Sequence, residues 1–100
     1  EKIVHLRIFE RDGKFDQSLL DTGGELLAVS QFTLFGDCSR GRRPSFSGAM
    51  EAREARDLFG HFVRSIRTMV ERVECGIFQT SMKVSHVNDG PVTLIIDSPR

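Results

Sequence analysis

The sequence predicts an α/β (α+β) domain with one long amphipathic helix packed on a sheet. Two observations carry this. Residues 49–72 place Ala55, Leu58, Phe59, Phe62, Val63, Ile66, Met69 and Val70 three and four residues apart, while Arg53, Glu54, Asp57, His61, Arg64, Arg67 and Glu71 take the other side. That is the stripe of a helix with one buried face. Before and after it come short apolar runs bounded by turn residues, as strands are. With 100 residues, the chain reads as one domain with a modest core.

Residues 26–37 are the stretch around which the rest is organised. As a strand ending at the Gly36-Asp37 turn signal, one face carries Leu26, Ala28, Ser30, Phe32 and Leu34, the other Leu27, Val29, Gln31, Thr33 and Phe35. Neither face is polar throughout, so this strand is expected to be covered on both sides. Ser30, Gln31 and Thr33 then need partners, because an unpaired buried polar group costs about 1–3 kcal/mol. Neighbouring backbone or a ligand could supply them.

The chain opens at Glu1, with Ile3, Val4, Leu6, Ile8 and Phe9 following at once, so it reads as entered inside an element. Residues 1–9 suit either the last turns of a helix or a short strand. Residues 10–14 form a turn around Asp12-Gly13, residues 15–20 a weak strand, and residues 21–24 a second turn leading into the 26–35 strand. Residues 38–48 are a loop. Its Arg40, Arg42 and Arg43 lie near Phe46 and suit phosphate contacts, or simply a solvated loop with one anchoring aromatic. In the long helix, Gly60 lowers propensity by up to about 1 kcal/mol, which a packed face can override.

Residues 73–78 and 82–87 are two further strand patterns, and residues 92–96 a final one. Before the last stands Asn88-Asp89-Gly90-Pro91-Val92-Thr93. It reads as a plain hairpin turn, or as a Gly-Pro corner that aims carbonyl oxygens at a ligand. X-Pro bonds are trans by default.

Lys and Arg total 14 and Asp and Glu 14, for a formal net charge of zero, so no global field attracts nucleic acid. Cys38 and Cys75 lie outside any Cys-x-x-Cys arrangement and read as reduced thiols of a cytoplasmic protein without a zinc site. His61 sits on the helix's polar side, and His86 has no companion at ligand spacing. No apolar run approaches a membrane span and no signal peptide opens the chain. No G-x-S-x-G nucleophile, Cys/His pair or phosphate-cradling glycine loop occurs. An enzyme built this way relies on positioning, on backbone donors facing an oxyanion, or on a group in the substrate.

Ser30-Gln31-Phe32-Thr33-Leu34 together with Asn88-Asp89-Gly90-Pro91-Val92-Thr93 resembles the signature pair of the D-aminoacyl-tRNA deacylase family. Leu6-Arg7-Ile8-Phe9, Ser18-Leu19-Leu20-Asp21 and Gly41-Arg42-Arg43-Pro44-Ser45-Phe46 are similar to further family segments. The resemblance spans essentially the whole chain, residues 1–100 reading as a single deacylase domain without the family's N-terminal strands.

The resemblance implies a compact, mixed-sheet, partly barrel-like fold and a homodimer with a cross-subunit active site. It implies an ester hydrolase that releases D-amino acids, and glycine, from mischarged tRNA without a cofactor. The Gly90-Pro91 corner, preceded by Asn88, becomes a cis-peptide chiral gate whose carbonyls crowd an L side chain. Ser30, Gln31, Phe32 and Thr33 become the catalytic segment, their N–H groups holding the ester oxygen and Phe32 walling the pocket. Thr93 is the further catalytic candidate, which one proposal for the family makes the nucleophile; nothing in the sequence offers it a base, which favours activation of water by the ribose hydroxyl next to the ester. Arg40, Arg42 and Arg43 become candidates for tRNA contact.

Two other readings compete. A sister deacylase group with a Pro-Gln-Ala-Thr type first motif clears an L-mischarged tRNA, and Ser30 and Phe32 argue against it. A non-catalytic dimeric RNA-binding module of the same fold is the other; hydrolysis by the intact molecule distinguishes it.

Overall fold

The computed structural model describes residues 1–90 and 92–99. The elements in order are α1 (Lys2–His5), β1 (Phe9–Arg11), β2 (Lys14–Gln17), α2 (Leu19–Thr22), β3 (Leu26–Ala28), a 3₁₀ turn (Phe32–Phe35), α3 (Ala52–Arg67) and β4 (Val73–Cys75).

β1 and β2 pair antiparallel across Asp12-Gly13, whose φ values of 56° and 79° suit a tight hairpin turn. The Asp-Gly turn stands where the sequence places it, but the strands flank it directly, and residues 18–22 differ from the expected strand and turn. Ser18 starts a helix there instead. Its Oγ accepts from the Asp21 N–H at 3.1 Å and its own N–H donates to the Asp21 carboxylate at 2.9 Å. This reciprocal cap turns the chain and drives Leu19 into the core. Gly23 closes the helix at φ 65°, its N–H donating to Leu20.

β3 and β4 pair in parallel, Leu26 opposite Val73 and Ala28 opposite Cys75, with α3 in the crossover between them. Parallel pairing requires such a crossover. α3 begins later than expected because Glu51 caps it, its carboxylate accepting from the N–H groups of Arg53 and Glu54 at 3.0 and 3.1 Å. It ends at Arg67, where the Thr68 hydroxyl donates back to Ser65 at 2.6 Å. The long helix is thus found on the predicted sequence, with shorter bounds.

The core is one cluster of Val4, Leu19, Ala28, Val63, Ile66, Val70 and Val73, flanked by Leu26, Phe59, Phe62 and Met69. It joins α1, α2, β3, α3 and β4. Arg67 ties helix to strand, its guanidinium donating to the Val73 carbonyl at 3.1 and 3.4 Å.

Two expectations are corrected. The 26–35 strand stops at Ala28, and the residues after it are not covered on both sides: Phe32 is 60 %, Leu34 83 % and Phe35 66 % exposed. β3 has one short partner, and beyond Cys75 the ladder ends with the Gly76 N–H donating to Ala28. Without a ladder, residues 32–35 satisfy their backbone locally as a 3₁₀ turn. The expected strands at 82–87 and 92–96 are absent among the described residues. Among the described residues there are two sheets, each of two strands, and within this one chain they are not closed into a barrel. The radius of gyration, 15.8 Å, exceeds the roughly 13 Å of a tightly packed domain of this size, and residues 76–90 and 92–99 contribute nothing to the core cluster.

Candidate active site

The fold brings two of the sequence's special segments together. β3 delivers Ser30, half-buried, to the point where the chain bends into the 3₁₀ turn. At the far end of the turn the Gly36 N–H donates to Thr33 at 3.0 Å. Asp37 then pairs with Ser45, N–H to carbonyl in both directions, at 2.7 and 3.0 Å. This bridge pinches off the arginine loop and returns Phe46 to the turn. The rings of Phe32 and Phe46 meet edge to face, 5.2 Å between centroids. Such a pair adds about 0.5–1.5 kcal/mol beyond its burial.

Gly36 makes that contact possible. A Cβ there would stand 2.9 Å from the Phe46 ring and 3.0 Å from the Thr33 carbonyl. Gly36 has an ordinary φ of −64°, so the space, and not the backbone angle, requires glycine. The sequence marked Phe46 only as a loop anchor and Gly36 only as a turn. Their service to Phe32 is a tertiary contact no local pattern announces.

Among the described residues, the N–H groups of Gln31, Phe32 and Thr33 donate to no backbone acceptor. They are the orphan donors every helical start leaves. Ser30, Gln31 and Thr33 are not buried polar groups in need of partners, since Ser30 is half-buried and the other two are exposed. The segment presents a phenyl wall and a short run of backbone donors to solvent. Beside it, Leu27, Val29, Cys75, Gly76 and residues 82–85 line an open groove of about 260 Å³.

Arg40, Arg42 and Arg43 project from the pinched loop and form no ion pair among the described residues. Asp37 shapes this loop by accepting from the Ser39 N–H at 2.9 Å. The hydroxyl and N–H of Ser39 hold its carboxyl below the usual range.

Asn88, Gly90 and Thr93 lie exposed on the irregular C-terminal stretch, and Pro91 falls outside the described residues. No hydrogen bond among the described residues joins that stretch to Ser30–Thr33. Gly90 has φ 156°, and a Cβ there would stand 2.9 Å from the Val92 nitrogen. That position is closed to ordinary side chains.

No group of three or more His, Cys, Asp or Glu side chains able to hold a metal occurs among the described residues. Cys38 and Cys75 are free and exposed. Among the described residues, no helix is long and apolar enough to cross a membrane.

A βαβ unit with an antiparallel hairpin on its flank places the molecule in the mixed α/β class. A solved structure titled c-Myc DNA Unwinding Element Binding Protein shares this architecture, with a TM-score of 0.87 and 38 % identity over 99 % of this chain and 68 % of its own. The family model described as D-Tyr-tRNA(Tyr) deacylase matches residues 1–97, and the chain belongs to that family. Proteins named D-aminoacyl-tRNA deacylase are similar along the whole length. The one from Syntrophus aciditrophicus is 52 % identical over all of this chain and 68 % of its own. That from Geotalea uraniireducens is 58 % identical over all of this chain and 65 % of its own, and that from Thermus aquaticus 56 % identical over 98 % and 65 %. The chain thus spans about two thirds of the length of these relatives. The family is one of deacylases, which are enzymes.

Proposed function

We propose that this chain hydrolyses the ester of D-aminoacyl-tRNA, and of glycine carried on the wrong tRNA, releasing the free amino acid and tRNA. The observation that supports this most is the convergence of the Ser30–Leu34 segment with the 41–46 loop through Phe32 and Phe46, in a chain whose whole length matches deacylases.

Phe32 walls the aminoacyl group, and the N–H groups of residues 31–33 face the ester carbonyl as negative charge develops on it. Water attacks the acyl carbon, the bond to the terminal ribose oxygen breaks, and that oxygen leaves with a proton. The neighbouring ribose hydroxyl orients the water and relays its proton, so the protein needs no side-chain base. Thr93 takes no covalent role, because nothing in the sequence offers it a base.

The enzyme works as a cytoplasmic homodimer, in which the assembled strands close into a partly barrel-like fold. The corner Asn88-Asp89-Gly90-Pro91 of one subunit, with its Gly-Pro bond cis, enters the site of the other. Its carbonyls occupy the space an L side chain requires. The exposure of Phe32, Leu34, Phe35 and Val87 supports such a covered arrangement, since a lone molecule rarely shows so much apolar surface. Arg40, Arg42 and Arg43 contact tRNA phosphates beside the site.

The test is release from one tRNA charged with a D-amino acid, with its L enantiomer and with glycine. The reading expects release of the D form and glycine only. Pro91→Ala should relax rejection of the L form. Binding of tRNA with no hydrolysis of any form overturns the reading in favour of a non-catalytic RNA-binding module.

A further inference from the structure

One flank of α3 carries a charge pattern that the active site does not use. Arg53, Arg56, Gly60, Arg64 and Arg67 follow one another at steps of three, four, four and three residues. On a helix those steps form one stripe. At 1.5 Å per residue the stripe runs about 21 Å. The whole chain has no net charge, so four guanidinium groups on one stripe, with Asp57 at its edge, are a concentration of positive charge that global composition hides.

Two of the four are built into the fold. Arg56 lies over the Phe78 ring, 5.5 Å from its centroid, and donates to the Gln79 side chain at 2.9 Å. Arg67 donates to the Val73 carbonyl. Between them Arg64 rests across Gly60, where a Cβ would stand only 3.1 Å from its Nη1. Glycine costs the helix stability here and leaves the Arg64 guanidinium room to lie close against the helix. Arg56, Arg64 and Arg67 rim an open groove of about 300 Å³ floored by Phe59, Val63 and Phe78. Arg53 and Arg64 make no side-chain hydrogen bond or ion pair among the described residues, although Glu54 and Asp57 share their helix.

We infer that this arginine stripe binds the phosphate backbone of the tRNA, at a surface separate from the loop carrying Arg40, Arg42 and Arg43. The inference rests on the reading of tRNA as substrate and extends it to a second contact. Guanidinium forks match phosphate oxygens in pairs. A row of them on a rigid helix, two held in place by other bonds, follows a repeating polyanion without reading sequence. A deacylase that acts on the shared end of many tRNAs needs contacts of that kind.

The experiment uses the full-length protein and uncharged tRNA, with affinity measured by fluorescence anisotropy across a salt series. Arg53→Gln/Arg64→Gln removes the two arginines whose side chains make no hydrogen bond or ion pair among the described residues. Arg11→Gln, an exposed arginine paired with Asp16 on the β1–β2 hairpin, removes a charge elsewhere. The double variant should lower affinity roughly tenfold and reduce the log–log salt slope by about one per arginine. Its unfolding midpoint should match wild type, and Arg11→Gln should bind within about twofold of it. The inference is overturned if the double variant binds like Arg11→Gln with an unchanged slope. It is equally overturned if tRNA competes no better than an acidic polypeptide for the stripe. Because uncharged tRNA is the probe, a protein that hydrolyses nothing yet loses binding in the double variant refutes the deacylase reading and leaves the stripe standing.

Discussion

Replacing Ser18 by alanine tests whether the Ser18–Asp21 segment is a structural device. Ser18 is 3 % exposed, and its Oγ is the acceptor for the Asp21 N–H at 3.1 Å. Alanine leaves that donor without its partner. Loss of a serine cap costs about 0.5–2 kcal/mol, and burial places this one near the upper half of that range. The cap also aims Leu19, 7 % exposed, into the core. The expected loss is therefore about 1–2 kcal/mol in urea unfolding at pH 7, with the melting temperature falling by about 4–8 °C per kcal/mol in a domain of this size. The pH dependence gives a second reading. The Ser18 N–H, then its hydroxyl, hold the Asp21 carboxyl below its ordinary range. Its folded value is depressed, so its contribution is present above the unfolded value and disappears as pH falls through the folded one. Asp21→Asn should thus destabilise at neutral pH and lose part of that difference in acid. If Ser18→Ala lies within about 0.5 kcal/mol of wild type, as ordinary surface changes do, the capping argument fails.

Two further outcomes follow from the same packing. Gly36→Ala should displace Phe46 from Phe32 and lower kcat/KM on D-aminoacyl-tRNA by on the order of 10- to 100-fold, the cost of misplacing a site by about 1 Å. Unfolding should shift by no more than about 1–3 kcal/mol, and a variant of unchanged kcat/KM contradicts the role given to that contact. Ile66→Ala, at a side chain 3 % exposed, should cost about 2–5 kcal/mol in chemical unfolding, and a loss under about 1 kcal/mol would remove α3 from the core.

What the sequence discloses here is what local physics decides. The α3 stripe is legible because helical periodicity repeats over many residues, and the Asp12-Gly13 turn because few residue pairs accept its backbone angles. The 26–35 strand misleads because its alternation is sound while its partner is only three residues long, so residues 32–35 close on themselves. Residues 18–21 read as strand and turn because Ser18, Leu19 and Leu20 carry no period of their own, and only the reciprocal Ser18–Asp21 bonds make them helical. For the candidate site, resemblance singles out the motif residues, whereas Gly36 and Phe46 gain meaning only from folding back across the Asp37–Ser45 bridge. The arginine stripe escaped notice because each arginine looks like ordinary solvated polarity until Gly60 is set in line with them.

The central claim is that the protein supplies shape and backbone donors while the RNA supplies the proton chemistry. Its most direct test is the single-turnover rate on D-aminoacyl-tRNA ending in adenosine, compared with the same tRNA ending in 2′-deoxyadenosine and acylated on the 3′ oxygen. The account predicts a loss of about 10²–10⁴ on the deoxy substrate, the usual worth of a positioned acid–base group, with Thr93→Val within a few-fold of wild type on the normal one. Equal rates on the two substrates, with Thr93→Val inactive, would contradict it and return the chemistry to the protein.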